Sequence, residues 1–129
     1  MSVALLIITH EHVADGLLST AHNILNKAID NTTVVEVPMD TPIEKITAQI
    51  NKQLTTLNTS DGILILTDLV GSTPFNVATQ IKNEQSGARL ISGLNLPMLL
   101  KLSNYRELPL IELTDIAIIG GQSGINIHE

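Results

Sequence analysis

Residues 62–74 read GILILTDLVGSTP, and this segment decides the fold. Its aliphatic run, Gly62–Leu66, is typical of a short strand that is buried on both faces, as strands of parallel sheets are. Thr73 and Pro74 are typical of a helix start, with the threonine as N-cap and the proline in the first turn. A buried strand that leads through a glycine-containing loop into a helix is one unit of an alternating α/β fold.

The same alternation of strand and helix extends over the rest of the chain. Three further aliphatic or β-branched runs are predicted as strands: Val3–Ile8, Thr33–Val37 and Arg89–Ile91. Segments with apolar residues three and four apart are predicted as helices, at about residues 14–28, 42–57, 73–83, 95–102 and 109–119. Gly120 and Gly121 are predicted to end the last helix, and residues 124–128 alternate like a short final strand.

This order of elements predicts the fold class. Strands that alternate with helices pair in parallel through right-handed crossovers, and a common strand order in such sheets begins 2-1-3-4. We therefore expect an α/β fold: an open, mostly parallel sheet of order 2-1-3-4, flanked by helices, with a short antiparallel strand at the C-terminus. No linker or repeat interrupts residues 1–129, so we expect a single domain.

The composition excludes several classes of protein. The formal net charge is −6 and lysine and arginine form no cluster, which disfavours a nucleic acid partner. There is no cysteine, so thiol catalysis, disulfides and zinc–thiolate sites are excluded. The first apolar run is too short for a signal peptide or a membrane span, so we expect a cytoplasmic protein without direct membrane insertion.

The predicted sheet order also indicates where the chemistry lies. Ligands of open parallel sheets bind beyond the carboxyl ends of the strands, at the point where the strand order reverses. The first strand is followed there by His10, and the third strand by Asp68 and the loop Gly71–Thr73. If these two strands are neighbours, a histidine, a carboxylate and a helix N-terminus share one crevice.

These residue types suit the transfer of a phosphoryl group. A neutral imidazole is a good nucleophile towards phosphorus, so His10 is predicted as the phosphoryl acceptor. A carboxylate on the other ring nitrogen fixes the tautomer and stabilises the cationic product, which is the role predicted for Asp68. The hydroxyl of Thr73 and the N–H groups of its helix are predicted to stabilise the phosphate. Gly71 and Ser72 complete the predicted phosphate-binding loop, where the glycine allows close approach of the backbone.

Each of these residues also has an ordinary structural explanation. His10 can be a polar strand end, Asp68 can cap a turn, and Thr73 can simply begin a helix. A metal site formed by His10, His12 and Asp68 is a weaker alternative, because a cysteine-free set with one carboxylate holds most metals poorly. We therefore expect neither a metal nor a cofactor, and we expect His22 to be an exposed residue in the middle of its helix.

Four segments together resemble a known family. The sequence has IITH at residues 7–10, TD followed by GSTPFN within residues 67–76, GLNLPML at residues 93–99 and, as a weaker match, GI at residues 124–125. The similarity covers essentially the whole chain. The segments are similar, in this order, to the enzyme IIA components of the mannose-type (mannose/fructose/sorbose) phosphoenolpyruvate-dependent sugar phosphotransferase system.

The resemblance implies a phosphohistidine carrier. In that family His10 would accept a phosphoryl group on Nε2 from the phosphocarrier HPr, with Asp68 on Nδ1, and pass it to a IIB component for sugar uptake. The resemblance further implies a homodimer in which the last strand, about Ile125–His128, is exchanged between subunits. Two alternatives use the same residues: a regulatory phosphoprotein of an incomplete phosphotransferase chain, and a IIA-like subunit that feeds dihydroxyacetone kinase.

Two positions depart from the family pattern. Ser72 stands where a second glycine is usual, and it either offers a hydroxyl to the phosphate or tightens the loop. Glu11 follows the histidine where a small residue is common, and its carboxylate is expected to repel phosphate or an acidic docking surface. An apolar patch of Leu69, Val70, Phe75 and Met98 is a candidate docking rim for HPr or a IIB component. Core packing is the more ordinary role for Phe75 and Met98, whereas Leu69 and Val70 lie in a loop and fit the docking role only if they are exposed.

Overall fold

The fold is a parallel sheet covered by helices on both faces, and the computed structural model describes it for residues 2–129. Within those residues the strands are β1 (Ala4–His10), β2 (Thr32–Val37), β3 (Ile63–Thr67) and β4 (Arg89–Ile91). The helices of the same range are α1 (Val13–Leu25), α2 (Ile43–Leu54), α3 (Thr73–Glu84), α4 (Leu96–Asn104) and α5 (Leu110–Ser123). The strands pair in parallel in the order β2-β1-β3-β4, which confirms the predicted sheet order and its flanking helices.

Strand β1 lies at the centre of the sheet and is buried on both faces. Its side chains alternate between two cores: Leu5 and Ile7 pack with α1, α4 and α5, whereas Leu6 and Ile8 pack with α2 and α3. Each of these four side chains is fully buried. A central strand with helices on both sides needs apolar residues at every position, which explains why its sequence shows no polar alternation.

The strand register brings two loops to the same edge of the sheet. Ile8 of β1 is paired with Thr67 of β3, so both strands reach the carboxyl edge together. Strand β2 lies on one side of β1, and β3 lies on the opposite side. The strand order therefore reverses between β1 and β3. The residues that follow β1 and β3 therefore meet at the point where open parallel sheets bind ligands.

Helix α5 continues through Gly120 and Gly121, so the prediction that these glycines end the helix is wrong. Both are buried against α4. A Cβ atom on Gly120 would lie 2.5 Å from Cβ of Lys101, and one on Gly121 would lie 3.0 Å from Cε of Met98. The two glycines therefore permit the close approach of α4 and α5, and this packing offsets their poor helix propensity of about 1 kcal/mol each.

The predicted C-terminal strand does not form within the chain. Residues 124–129 leave α5 without regular structure, and the side chains of Ile125 and Ile127 are 82% and 89% exposed. Within residues 2–129, strand β4 pairs only with β3, so its other side is an open edge of the sheet. The exchange of residues 125–128 with a second subunit at this edge stays a prediction.

Helix α1 ends earlier than predicted, and His22 holds the connection that follows it. Asn26 adopts a left-handed conformation with φ 55, and its N–H bonds to the carbonyl of His22. The Nε2 atom of His22 accepts a hydrogen bond from the N–H of Ile29 at 3.1 Å. His22 is half-buried, so the expectation of an exposed residue is wrong: its ring ties the end of α1 to the loop before β2.

Candidate functional site

His10 and Asp68 meet at the carboxyl edge of the sheet. Nδ1 of His10 lies 2.8 Å from Oδ2 of Asp68, and the backbone N–H of His10 donates to the same oxygen at 3.1 Å. The other carboxylate oxygen, Oδ1, accepts the N–H of Leu69 at 3.1 Å. The side chain of Asp68 is 13% exposed and that of His10 is 45% exposed. The carboxylate is thus held from two sides, while the ring reaches into solvent.

This geometry assigns the protons of the imidazole. An ionised carboxylate can only accept hydrogen bonds, so Nδ1 of His10 must carry a proton to bond to Asp68. In the neutral ring, Nε2 then has no proton and presents its lone pair. The ring therefore offers a nucleophilic nitrogen on its solvent-facing side, and the mostly buried carboxylate lies where positive charge would develop if that nitrogen reacted.

Gly71 and Ser72 shape the loop that leads from β3 to α3. Gly71 has φ 80, a conformation that suits glycine, although a Cβ atom there would meet open space. Glycine is therefore required at position 71 by the backbone conformation and not by the close approach of another atom. The hydroxyl of Ser72 donates to the carbonyl of Leu69 at 2.7 Å and accepts the N–H of Phe75 at 3.4 Å. Of the two roles considered for Ser72, the structure shows that it tightens the loop.

Helix α3 begins one residue earlier than its predicted cap implied. The N-cap is Ser72 rather than Thr73, so Thr73 is the first helical residue and is exposed. Pro74 has no N–H, and the N–H groups of Phe75 and Asn76 bond to the side chain and the carbonyl of Ser72. Thr73 therefore carries the N–H and the hydroxyl that are available to an anion at this helix start.

The turn between β1 and α1 depends on Thr9, which the sequence analysis did not single out. Its hydroxyl donates to the carbonyl of His10 at 2.8 Å and accepts the N–H of Ala14 at 3.0 Å. His12, the N-cap of α1, has φ 71 and makes no side-chain cap bond. A threonine five residues before the capped N–H lies outside the usual capping pattern, so the sequence carried no recognisable signal of this role.

The loops around His10 are acidic. Residues 9–16, 36–41 and 67–73 contain no lysine or arginine, and their carboxylates belong to Glu11, Asp15, Glu36, Asp40 and Asp68. One of these carboxylates is hydrogen-bonded within the protein: Oε2 of Glu36 accepts the N–H of Asp15 at 2.9 Å. These loops are therefore negative and supply no cation for a phosphoryl group, although Lys45 of α2 lines a pocket with Glu11 and Glu36.

An apolar rim borders the site on the β3–α3 loop. Leu69 and Val70 are 58% and 63% exposed, which fulfils the condition set for a docking rim. Met98 is buried and Phe75 is half-buried, so these two residues contribute to packing instead. Exposed apolar side chains beside an exposed histidine ring suit a surface that a partner protein covers.

Neither a metal-binding cluster nor a membrane-spanning helix is found within residues 2–129. No group of three or more histidine, cysteine, aspartate or glutamate side chains in that range is arranged to hold a metal ion. His10 uses Nδ1 for Asp68, and His12 is an exposed residue of the following turn. None of the helices in the described range has both the length and the apolar character needed to cross a membrane.

Comparisons with known proteins agree on one family. The family model described as "PTS system fructose IIA component" matches residues 4–117. The mannose-specific EIIAB component of Escherichia coli K12 is 32% identical over 127 residues, which cover 97% of this chain but 39% of that protein. The mannose/sorbose-specific IIA subunit of Enterococcus faecalis shares the fold with a TM-score of 0.87, at 23% identity over 100% of this chain and 96% of its own. The EIIA component of Streptococcus agalactiae superposes with a TM-score of 0.83, at 26% identity over 97% and 96% of the two chains.

Proposed function

The chain belongs to the PTS system fructose IIA component family, the mannose-type IIA proteins, and on that premise we propose that it carries a phosphoryl group on Nε2 of His10. A IIA component of this type is a phosphotransferase component that serves sugar uptake. The observation that carries the proposal is the 2.8 Å contact between Nδ1 of His10 and Oδ2 of Asp68 beside a 45% exposed ring. On this proposal, residues 1–129 act as one IIA domain.

The proposed reaction exchanges one phosphorus–nitrogen bond for another. Nε2 of neutral His10 attacks the phosphorus of a phosphohistidine on the donor. The bond from phosphorus to the donor ring breaks, and its electron pair returns to the donor nitrogen. His10 keeps its Nδ1 proton, so the phosphorylated ring is cationic and is stabilised by the carboxylate of Asp68. Thr73 would stabilise the oxygens of the transferred group through its N–H and hydroxyl, next to the Gly71–Ser72 turn.

The donor that we propose is HPr, and the acceptor is a histidine of a IIB component. The exposed ring and the apolar rim of Leu69 and Val70 suit a protein partner, which can cover the site and exclude water. The acidic loops around His10 suit a partner that brings basic side chains, because opposite charges speed encounter and neutralise the phosphoryl oxygens. On this proposal, Glu11 acts against acidic partners and favours a basic one.

We further propose a homodimer with exchanged C-terminal strands. The open edge of β4 borders an apolar groove whose lining includes Leu90 and Ile91 of β4 and Ile111 and Ile118 of α5. The exposed isoleucines of the segment 125–128 alternate as a strand requires, with one face apolar. Addition of this segment from a second subunit would cover the groove and close the sheet edge.

Phosphorylation in vitro tests the carrier role. Wild-type protein, His10→Ala and the control His12→Ala are incubated with phosphoenolpyruvate, enzyme I and HPr, and intact mass is read at neutral to alkaline pH because phosphohistidine is acid-labile. We expect one added phosphoryl group in the wild type and in His12→Ala, and none in His10→Ala. An unmodified wild type beside an active control carrier would overturn the proposal.

Transfer onward separates transport from regulation. Phosphorylated protein, freed of HPr, is mixed with a mannose-type IIB component, and the loss of the phosphoryl group from His10 is followed by intact mass. Rapid transfer to IIB supports the role in sugar uptake. Stable phosphorylation in the presence of IIB would contradict that role and favour the regulatory alternative.

A further inference from the structure

We propose that Thr9 is a positioning residue for phosphoryl transfer, which holds the backbone of His10 so that Nε2 keeps its direction. The inference rests on the proposed function and concerns the same site. Thr9 does not touch the reacting atoms. It acts through the carbonyl of His10, to which its hydroxyl donates at 2.8 Å.

The hydroxyl of Thr9 lies in an apolar surrounding and is used in both directions. The residue is fully buried at 0% exposure, at the end of a strand whose preceding side chains belong to the two cores. Its oxygen accepts the N–H of Ala14 at 3.0 Å while its proton goes to the carbonyl of His10. Valine has the same shape and suits a buried strand better, so the polar atom at this position calls for a specific role.

That role is to connect the strand end, the reactive residue and the next helix. The N-cap of helix α1, His12, has φ 71, a conformation that is unfavourable for a residue other than glycine. The side chain of His12 makes no cap hydrogen bond. The bond from the N–H of Ala14 to Thr9 satisfies one of the free N–H groups in the first turn of α1. The tight turn at residues 10–12 is therefore held by the same hydroxyl that binds the His10 carbonyl.

His10 is consequently held at both ends of its own backbone. Asp68 accepts its N–H at 3.1 Å and its Nδ1 at 2.8 Å, whereas Thr9 binds its carbonyl. Asp68 does not bond the carbonyl of His10, so the bond from Thr9 adds a further fixed point to the residue beside its strand pairing with Val37. Transfer between two histidines needs the attacking and the leaving nitrogen in line with phosphorus, so a small tilt of the ring costs rate without removing any reactive group.

The test compares Thr9→Val, which keeps the shape, with Thr9→Ser, which keeps the hydroxyl. The control is Thr114→Val, which removes another buried hydroxyl, one that donates to the carbonyl of Leu110 in α5. Phosphorylated HPr is mixed with each variant over a range of concentrations, well below the lowest melting temperature. The readouts are the maximal transfer rate, the half-saturating HPr concentration and the ¹⁵N signals of the His10 ring.

We expect Thr9→Val to lower the maximal rate about tenfold or more, with the half-saturating concentration changed less than about twofold. Its His10 ring signals should shift or broaden, whereas Thr9→Ser and Thr114→Val keep the rate within about threefold of the wild type. A Thr9→Val variant that keeps the wild-type rate would overturn the inference. So would a Thr9→Ser variant whose maximal rate falls about tenfold or more below the wild type, and this comparison with the wild type still decides against the inference if the valine variant does not fold. A wild type that HPr does not phosphorylate would instead refute the proposed function.

Discussion

Oδ2 of Asp68 accepts two hydrogen bonds from His10, one from the ring Nδ1 at 2.8 Å and one from the backbone N–H at 3.1 Å. One carboxylate oxygen therefore controls both the protonation of the ring and the position of its backbone. The second oxygen is fixed by the N–H of Leu69, so the carboxylate is itself held in place. This arrangement makes Asp68 the residue with the largest expected effect on the reaction after His10.

Replacement of Asp68 by asparagine should slow phosphorylation by about 10²–10⁴-fold. The amide keeps the shape of the side chain, but it has no charge to stabilise the cationic product, and its NH2 group can donate to Nδ1 and so favour the tautomer with the proton on Nε2. The rate of phosphoryl transfer from HPr measures the effect. The control is Asp61→Asn, an exposed carboxylate just before β3 at the opposite edge of the sheet, which should keep the wild-type rate. Equal rates for Asp68→Asn and the wild type would contradict this role.

Replacement of Gly71 by alanine should destabilise the protein by about 1 kcal/mol, because its φ of 80 lies in the left-handed region that β-carbon sterics disfavour. Gly16 is the matched control, since it is exposed in helix α1 and a Cβ atom there meets no neighbour. Gly16→Ala should stabilise the protein by about 0.5–1 kcal/mol through helix propensity. Urea unfolding measures both changes, and two shifts of the same sign would contradict the explanation.

Loss of the His22 acceptor should destabilise the loop before β2. His22→Leu leaves the N–H of Ile29 without its partner, which we expect to cost about 1–3 kcal/mol. His22→Gln can place a carbonyl oxygen near the position of Nε2 and should recover part of that loss. Thermal and urea unfolding of the two variants provide the comparison. If the His22→Leu and His22→Gln variants have the same free energy of unfolding, the hydrogen bond between His22 and Ile29 contributes nothing to stability.

Polar substitutions in the docking rim of Leu69 and Val70 should weaken the binding of the partner protein without affecting the stability of the fold. Leu69→Ser and Val70→Ser are each expected to raise the half-saturating HPr concentration at least about fivefold, as expected for a buried interface contact. Their free energies of unfolding should change by no more than about 0.5 kcal/mol. Ile24→Ser is the control, because Ile24 is as exposed as Leu69, at 58%, but lies near the far end of α1. An equal change in the half-saturating HPr concentration for all three variants would contradict a docking role of Leu69 and Val70.

A charge on the C-terminal segment should prevent the proposed dimer. Ile127→Asp places a carboxylate on the face that would pack against the groove beside β4, so we expect a monomer where the wild type has the mass of two chains. Sedimentation velocity at several concentrations gives the mass. Asn126→Asp adds a charge on the opposite face and should remain dimeric. A wild type that sediments as a monomer at all concentrations would exclude the exchanged strand.

The central features of the fold could be predicted because they depend on local patterns. The uninterrupted aliphatic run of β1 and the strand–loop–helix segment at residues 62–74 each specify a buried strand. Once the strands are taken as parallel, the meeting of His10 and Asp68 follows from the strand order alone. Each of the two residues follows an apolar run after a single threonine, so no distant contact had to be guessed.

The features that could not be predicted depend on contacts between distant segments. Gly120 and Gly121 look like a helix end until α4 is known to pack against them. The bond from Ala14 to Thr9 spans an irregular turn, and the one from Ile29 to His22 crosses a loop. The C-terminal segment has the alternation of a strand but no partner within its own chain. Local propensity contains none of this information, because each contact is decided by tertiary packing.

The burial of β1 has a consequence for how the site can lose its shape. His10 is the last residue of the central strand, and its N–H is bonded to Asp68 beside β3. From Leu5 to Ile8 the strand has paired neighbours on both sides and helices on both faces, so local fraying cannot release this part. Amide hydrogen exchange there should therefore be as slow as global unfolding permits, whereas His10, which pairs only with β2, should take up deuterium sooner.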